Sequence, residues 1–321
     1  MCAAVLAIDV GGTKLAAGVV TADGAILARA EVATPASADA AVLAAALTGV
    51  ARQAAEGGPT GRLAAIGIGS AGPVDPAAGT VSPVNIPAWR DYAIVDALRD
   101  VVPSRPAVLA GDGHCMALGE YWLGRYAARA MLGMVVSTGV GGGLVVDGRI
   151  YRGPSGNAGH IGHIVVDLDG PACPCGGRGC VEMFASGPAM VRWATAEGWS
   201  GAGDARALAR DAAAGDAVAT RAFRRAAGAL AAAVVSATAL VDLDDVVIGG
   251  GVAAAGEVLF APLRAAVGEL AGLPFVRRVR LHASPLGRDA GLLGAAALAF
   301  DALADGQDRG QQLPPGVRRS A

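Results

Sequence analysis

The sequence predicts an α/β protein made of two copies of one domain, and the first copy opens the chain. The apolar run Val5–Asp9 meets the glycine turn Gly11–Thr13, and a second run follows at Leu15–Val20. Asp23-Gly24 then precedes a third run, Ile26–Ala30. Strand, glycine turn, strand, Asp-Gly hairpin and strand in this order predict an antiparallel meander.

The same order of elements returns in the second half of the chain. Met134–Ser137 leads into Thr138–Gly143, and Leu144–Val146, Asp147-Gly148 and Arg149–Tyr151 follow. The repetition predicts an internal duplication, with a cleft between the copies and a glycine-rich turn facing in from each side. A chance likeness of two glycine-rich hairpins is the alternative. A dinucleotide-binding fingerprint is excluded, because a strand and not a helix follows the first glycines.

Helical patterns fill the gaps between these strands. Helices are expected at Ala38–Glu56, Gly113–Leu123, Gly187–Glu197, Ala205–Ala239 and Gly287–Ala302, and further strands at Ala107–Ala110 and Val246–Ile248. The first domain is therefore expected over 1–113, completed by a C-terminal helix over 287–303, and the second over 114–286. The polar tail over 304–321 is expected to be disordered.

Composition and charge restrict the function classes. The 321 residues carry a net charge of −2 without a basic run outside the short tail, so nucleic acid is not an expected partner. The longest apolar runs, such as Ala226–Val241, are too short or too interrupted to predict membrane spans. No charged-then-apolar leader opens the sequence, so a cytoplasmic protein without a membrane partner is expected.

Cysteine and histidine are concentrated in one short segment. Three of the five cysteines and two of the four histidines lie between His160 and Cys180. Three thiolates and one imidazole are the ligands of a closed, tetrahedral Zn²⁺ site, and Gly176, Gly177 and Gly179 allow the necessary tight turns. Buried cysteines with hydrogen-bonded histidines are the alternative, whereas a disulfide would leave one cysteine unpaired. The segment therefore predicts structural zinc, with a zinc-binding loop over 160–182.

Three glycine turns and one carboxylate are candidates for the chemistry. The turns Gly11–Lys14, Thr138–Gly143 and Gly249–Gly251 can present backbone N–H groups to phosphate oxygens without obstruction by side chains. No Walker-type motif occurs, so a P-loop enzyme is excluded. Asp112 ends an apolar strand and precedes a helix, a position equally typical of a reactive group and of a helix N-cap.

Five motifs follow one another along the chain: Asp9–Lys14, Gly69–Asp75, Ala117–Glu120, Thr138–Gly143 and the histidine–cysteine segment from His160 to Glu182. Together they resemble the ROK family (repressors, open reading frames, sugar kinases), and the likeness extends from Leu6 to about Leu298. The resemblance implies an actin/hexokinase-type (ribonuclease H-like) fold of two α/β domains around a central ligand cleft. It also implies ATP-dependent phosphorylation of the 6-hydroxyl of a hexose or amino-hexose, with ATP, Mg²⁺ and Zn²⁺ as cofactors, and a homodimer.

The resemblance assigns roles to individual residues. Asp112 is implied as the general base for the sugar hydroxyl. The implied zinc ligands are His163, Cys173, Cys175 and Cys180. The implied sugar contacts are Gly72, Asn85, Gly111, Asp112, His160, His163 and Glu182. The implied nucleotide contacts are Asp9, Gly11, Gly12, Thr13 and Lys14 in the first turn, with Asp9 near Mg²⁺, then Thr138, Gly139 and Gly141 in the second, and Gly249, Gly250 and Gly251 beside the adenosine.

The chain departs from the family pattern at two implied sugar contacts. The family usually has Asn-Asp at the position of Gly111-Asp112, and Glu-x-Gly-His at the position of His160–His163. The missing Asn normally contacts hydroxyls around C3 and C4, and the missing Glu contacts those around C1 and C2. Both losses favour a modified hexose, such as the 3-amino sugar kanosamine or N-acetylmannosamine, over glucose. A glucokinase that tolerates the two changes is the alternative.

Two other functions compete with that of a kinase. A sugar-responsive repressor of the same family carries a helix-turn-helix segment before the first glycine turn, whereas eight residues precede Asp9 here. A sugar-binding protein without activity would be indicated by loss of Asp112, which is present. A sugar kinase is therefore the predicted function.

Overall fold

A computed structural model describes residues 3–58, 63–124, 126–201 and 203–311, and for 305–311 it describes the backbone alone. The chain divides into two units. The first unit contains the chain up to Ala110 and from Ala295 onward, and the second contains Gly111–Gly294.

The first unit is organised around a five-stranded mixed sheet in the order β3-β2-β1-β4-β7. Its elements are β1 (Ala4–Val10), β2 (Lys14–Thr21), β3 (Ile26–Ala33), α1 (Ala40–Gly57), β4 (Ile66–Ser70), the β5–β6 hairpin (Val74–Asp75, Thr80–Val81), α2 (Ile94–Arg99) and β7 (Ala107–Gly111). Strand β1 is antiparallel to β2 and parallel to β4. Helix α1 begins after Asp39, whose side chain accepts a hydrogen bond from the Ala41 N–H (2.8 Å). Leu43 and Leu47 of α1 are buried in the same core as the strands.

The second unit repeats this plan with the strand order β10-β9-β8-β11-β12. Its elements are α3 (Asp112–Leu123), β8 (Ala130–Val136), β9 (Val140–Val146), β10 (Arg149–Tyr151), α4 (Glu182–Ala185), α5 (Gly187–Ala196), α6 (Ala205–Ala213), α7 (Ala217–Val241), β11 (Asp245–Gly249), α8 (Glu257–Leu270), α9 (Pro274–Arg277) and β12 (Arg280–Ala283). Strand β8 is antiparallel to β9 and parallel to β11. The two sheets have the same strand order, and their three central strands run in the same relative directions. The predicted duplication is therefore confirmed.

Helix α7 forms much of the core of the second unit. The predicted helical stretch Ala205–Ala239 is divided at Gly215, whose φ of +93° ends α6, and Asp216 caps α7 by accepting from the Ala219 N–H (2.8 Å). With 25 residues and a mean hydropathy of 1.3 over its most apolar window, α7 is long and apolar enough to cross a membrane, contrary to the expectation from its interrupted pattern. Half of that window is buried within the protein, as is typical of a core helix.

The last helix, α10 (Ala290–Gln311), is longer than expected. The helix was expected to end at residue 303 and to be followed by a disordered tail, and this is wrong for 304–311. Ala302, Leu303 and Ala304 are good helix formers, and the first proline in this part of the sequence is Pro314. The expectation for 312–321 lies outside the described residues.

Close helix packing predicts a strong effect at Gly294. A Cβ on Gly294 of α10 would overlap the carbonyl oxygen of Cys115 in α3, so Gly294→Ala is expected to lower the free energy of unfolding by roughly 1–3 kcal/mol or more. Gly228 of α7 is a matched control, because a Cβ there meets no heavy atom of the described residues within 4 Å. Gly228→Ala should raise the free energy of unfolding by about 0.5–1 kcal/mol. Urea denaturation checks both, and equal changes would contradict the packing argument.

Candidate active site and metal centre

The first glycine turn lies between β1 and β2 in the first unit. The Gly11 N–H donates to the Lys14 carbonyl (2.9 Å), and the Thr34 hydroxyl donates to the Gly11 carbonyl (2.7 Å). A Cβ on Gly12 would overlap the side-chain amide of Asn85, so the turn has no room for a side chain there. Gly12 and Asn85 line one cavity of about 480 Å³.

Other predicted site residues surround this turn in the first unit. Asp9 pairs with Ala16 of β2 on one side and with Gly69 of β4 on the other. The Gly72 carbonyl accepts a hydrogen bond from the Val84 N–H (3.2 Å), which holds the segments of Gly72 and Asn85 together.

The second and third glycine turns lie together in the second unit. The Ser137 N–H donates to the Gly139 carbonyl (2.9 Å) to form the turn between β8 and β9. The Val252 N–H, beyond the third turn, donates to the Val136 carbonyl (3.0 Å). Gly250 has a φ of +96°, and a Cβ on it would lie 2.5 Å from that same carbonyl oxygen. The second and third glycine turns are therefore in direct backbone contact, although they are distant in sequence.

Asp112 is the first residue of α3 and follows Gly111, the last residue of β7. The N-cap position belongs to Gly111, whose backbone is extended, so the alternative that Asp112 is the N-cap is wrong. The carboxylate Oδ1 accepts a hydrogen bond from the Gly113 N–H (2.7 Å), which fixes its orientation.

The surroundings of Asp112 shift its protonation equilibrium. The side chain keeps accessible surface, yet the protein around it displaces part of its hydration, and this raises the pKa of the carboxyl. The Gly113 N–H and the charge of His160 oppose the rise. Lost hydration lowers the pKa of His160, with the charge of His163 acting in the same direction and that of Asp112 against it. The site therefore favours an uncharged imidazole beside the carboxylate.

The predicted zinc ligands come together in the second unit. One ligand atom from each of His163, Cys173, Cys175 and Cys180 lies within 4.8 Å of all the others. Cys173 Sγ is 3.8 Å from His163 Nδ1, and Cys175 Sγ is 3.8 Å from Cys180 Sγ. Zn–S bonds of about 2.3 Å at tetrahedral angles place two sulfurs about 3.8 Å apart, so the cluster has the dimensions of a zinc site.

Glycines allow the chain to bring the cysteines together. Gly176 has a φ of +92° and Gly179 a φ of +68°, both in the left-handed region that favours glycine. The Gly176 N–H donates to the Cys173 carbonyl (3.0 Å), and the Cys173 N–H donates to the Gly177 carbonyl (2.9 Å). The tight turn over 173–177 therefore carries two of the four ligands, Cys173 and Cys175.

Glu182 connects the cysteine loop to the second glycine turn. The sequence did not predict this connection. Its Oε2 accepts a hydrogen bond from the Val140 N–H (2.8 Å). A Cβ on Gly139 would lie 2.7 Å from that oxygen, so a side chain there would displace the Glu182 carboxylate. The Gly187 N–H donates to the Ser137 carbonyl (2.7 Å) and adds a second connection. The chain after Cys180 thus supports the turn that is a candidate for holding phosphate.

His114 is a further residue that sequence reasoning missed. It lies on α3 two residues after Asp112 and is 3% exposed. Burial lowers its pKa to about 4, and the charges of His160 and Arg152 act in the same direction. A lone histidine within an otherwise apolar helix gives no sequence signal for a role in binding.

Comparison with known proteins places these features in context. The model of the ROK family matches residues 5–302. An N-acetylmannosamine kinase of Citrobacter koseri is 40% identical over 92% of this chain and 98% of its own length. The structure of a ROK family glucokinase from Streptomyces griseus, in complex with glucose and AMPPNP, has a TM-score of 0.81 at 33% identity and covers 93% of this chain and 99% of its own. A ROK hexokinase from Thermus thermophilus gives a TM-score of 0.80 at 36% identity, over 94% of this chain and 99% of its own.

Proposed function

The chain belongs to the ROK family, and from this premise we propose that it transfers the γ-phosphoryl group of ATP to the 6-hydroxyl of an amino- or N-acyl-hexose. Relatives named as N-acetylmannosamine kinases and glucokinases support ATP-dependent sugar kinase activity. The observation that carries the chemistry is Asp112, a carboxylate fixed by the Gly113 N–H at the end of β7.

Asp112 acts as the general base in this proposal. Phosphoryl transfer needs an oriented hydroxyl, a group that takes its proton, and electrostatic stabilisation of the phosphate. The carboxylate accepts the proton of the 6-hydroxyl as the oxygen attacks phosphorus. Its raised pKa brings it closer to that of a useful base at neutral pH, while the hydrogen bond from the Gly113 N–H favours the anionic form.

The three glycine turns hold the nucleotide in this proposal. Backbone N–H groups at Gly11–Lys14, Thr138–Gly141 and Gly249–Gly251 suit phosphate and ribose oxygens. Those of Gly11 and Val140 are already donated within the protein, so the other N–H groups of these turns are the candidates. The crowding at Gly12 and Gly250 supports this, because a side chain there would overlap Asn85 or the Val136 backbone. Asp9 would hold Mg²⁺, a cation that prefers carboxylate oxygen and that neutralises phosphate charge in kinases.

The histidine–cysteine cluster fits Zn²⁺ in ligand type and spacing. Four protein ligands close the coordination sphere, so the metal would stabilise the loop and take no part in the reaction. His163 and Glu182, at the two ends of the loop, are thereby fixed for contact with the sugar.

The sugar is expected to carry a nitrogen substituent. Gly111 provides no side chain where the family usually has Asn, and His160 stands in place of a carboxylate. A mainly neutral imidazole can both donate a hydrogen bond to an amide or hydroxyl and accept one from it. A carboxylate only accepts, and therefore favours charged or strongly donating groups. The 40% identity to an N-acetylmannosamine kinase agrees with an N-acyl-hexose.

A substrate panel tests this function. ADP release is measured with N-acetylmannosamine, 3-amino-3-deoxyglucose, glucosamine and glucose, and kcat/KM should be highest for an amino- or N-acyl-hexose. A site built to bind a particular polar group discriminates strongly against sugars without it. The double variant with Gly111→Asn and His160→Glu should shift preference towards glucose. If the unmodified protein prefers glucose by about tenfold or more, equivalent to about 1.4 kcal/mol, the substrate proposal is wrong.

A further inference from the structure

A side chain at position 111 would point towards the imidazole ring of His114. An ideal Cβ on Gly111 would lie 3.1 Å from His114 Nδ1 and 4.0 Å from its Cε1. Apart from the atoms of Gly111 and its two chain neighbours, no other heavy atom of the described residues lies within 4 Å of that point. The space left open beside Asp112 is therefore bounded by a ring nitrogen.

The surroundings of His114 determine which nitrogen can accept a hydrogen bond. The ring is buried and its pKa is lowered to about 4, so it is neutral at pH 7 and carries one proton. The backbone carbonyls of Ala158 and Tyr151 favour a proton on the buried ring. Nε2 is fully buried and has no hydrogen-bond partner among the described residues, so a substrate can reach only Nδ1. We take the single proton to be on Nε2, which leaves the lone pair on Nδ1.

We propose that His114 is a specificity-determining residue whose Nδ1 accepts a hydrogen bond from an O–H or N–H on the sugar ring. The proposal rests on the proposed function, because it takes the 6-hydroxyl to lie at Asp112. In a pyranose the substituent on C4 is nearest to the 6-hydroxyl, followed by that on C3. A donor at one of these carbons is therefore the group that Nδ1 meets across Gly111.

Gly111 and His114 act as a pair in this arrangement. An Asn at 111 would begin 3.1 Å from Nδ1 and must move the ring or turn away from it. Glycine at 111 leaves the nitrogen open to the substrate. The selected sugars are those with a hydrogen-bond donor at C3 or C4, either a hydroxyl or an amine. Because the acceptor nitrogen is neutral, the donor group on the sugar does not have to be charged.

Fluorinated sugars test this on the unmodified protein, because fluorine at carbon is a poor acceptor and cannot donate a hydrogen bond. The probes are glucose, 3-deoxy-3-fluoroglucose and 4-deoxy-4-fluoroglucose, and kcat/KM is measured by ADP release. One of the two fluorinated sugars should lose roughly tenfold to hundredfold, since an unpaired acceptor is left in the site. Equal kcat/KM for all three sugars would overturn the proposal without any variant.

Variants then assign the loss to His114. His114→Ala should lower kcat/KM for glucose roughly tenfold to hundredfold but leave the affected fluorinated sugar unchanged within about twofold. His114→Asn should restore part of the loss, because its amide oxygen can occupy the place of Nδ1. His114→Gln extends towards Nε2 instead and should restore none.

The outcomes separate a specificity role from a structural one. A structural role would lower kcat/KM by the same factor for every sugar, and Gln would restore as much as Asn; either result overturns the proposal. Thermal unfolding and affinity for an ATP analogue identify variants that are misfolded, and the fluorinated sugars on the unmodified protein then decide. An unmodified protein that phosphorylates no hexose overturns the proposed function itself, and this inference with it.

Discussion

Replacement of Asp112 by Asn is expected to lower kcat by roughly 10²–10⁴ while affinity for ATP is retained. The amide has the size of the carboxylate and can still accept a hydrogen bond from the Gly113 N–H, but it cannot take a proton from the sugar hydroxyl. Steady-state kinetics for the variant, together with binding of an ATP analogue, separate loss of the base from loss of the site.

Asp96→Asn is a suitable control for the Asp112 variant. Asp96 is exposed on α2 and pairs with Arg99 at 3.1 Å, so its replacement should leave kcat unchanged. Near-normal turnover by Asp112→Asn would show that Asp112 is not the base.

The raised pKa of Asp112 also predicts the pH dependence of activity. The base must be deprotonated, and a raised pKa keeps it protonated to a higher pH than an ordinary aspartic acid. The value of kcat/KM should therefore decline as pH falls, with a midpoint above 3.8, the ordinary pKa of an aspartic acid side chain. A profile without this acid limb in the unmodified protein would contradict the assignment.

Cys175→Ala is expected to lower metal content, thermal stability and sugar affinity together. It removes one of four ligands, and an incomplete cluster binds Zn²⁺ more weakly. The loop should then loosen at His163 and Glu182, and the melting temperature should fall by roughly 2–4 °C for each kcal/mol lost. Elemental analysis, thermal unfolding and calorimetric titration with the sugar provide the three measurements.

Cys115→Ala is the matched control for the cysteine variant. Cys115 is buried in α3 and lies outside the cluster, so its replacement should leave metal content unchanged. Absence of zinc from protein purified without chelators would refute the metal assignment.

Local patterns made much of the fold predictable from the sequence. A strand needs only a few apolar residues bounded by a turn, and the turns here are marked by Gly11-Gly12 and Asp147-Gly148. Repetition of one pattern then predicted two similar sheets, and the shared strand order confirms it. The cysteine cluster was equally predictable from the sequence, because its ligands are close together along the chain.

Contacts between distant segments were not predictable in this way. The hydrogen bond from the Val140 N–H to Glu182 joins residues that no local pattern relates. His114 could not be distinguished from a core histidine until the open space at Gly111 was known. The end of α10 was placed too early because polar residues were taken as a sign of disorder, although they are compatible with a helix.

The two copies of the fold differ most in one connection. In the first unit the chain passes from β3 to α1 through residues 34–39 alone, whereas in the second the passage from β10 to α5, which includes the short helix α4, occupies 152–186. That passage carries His160, the four-ligand cluster and Glu182. Changes confined to this one connection can therefore alter the residues proposed for sugar binding without altering either sheet.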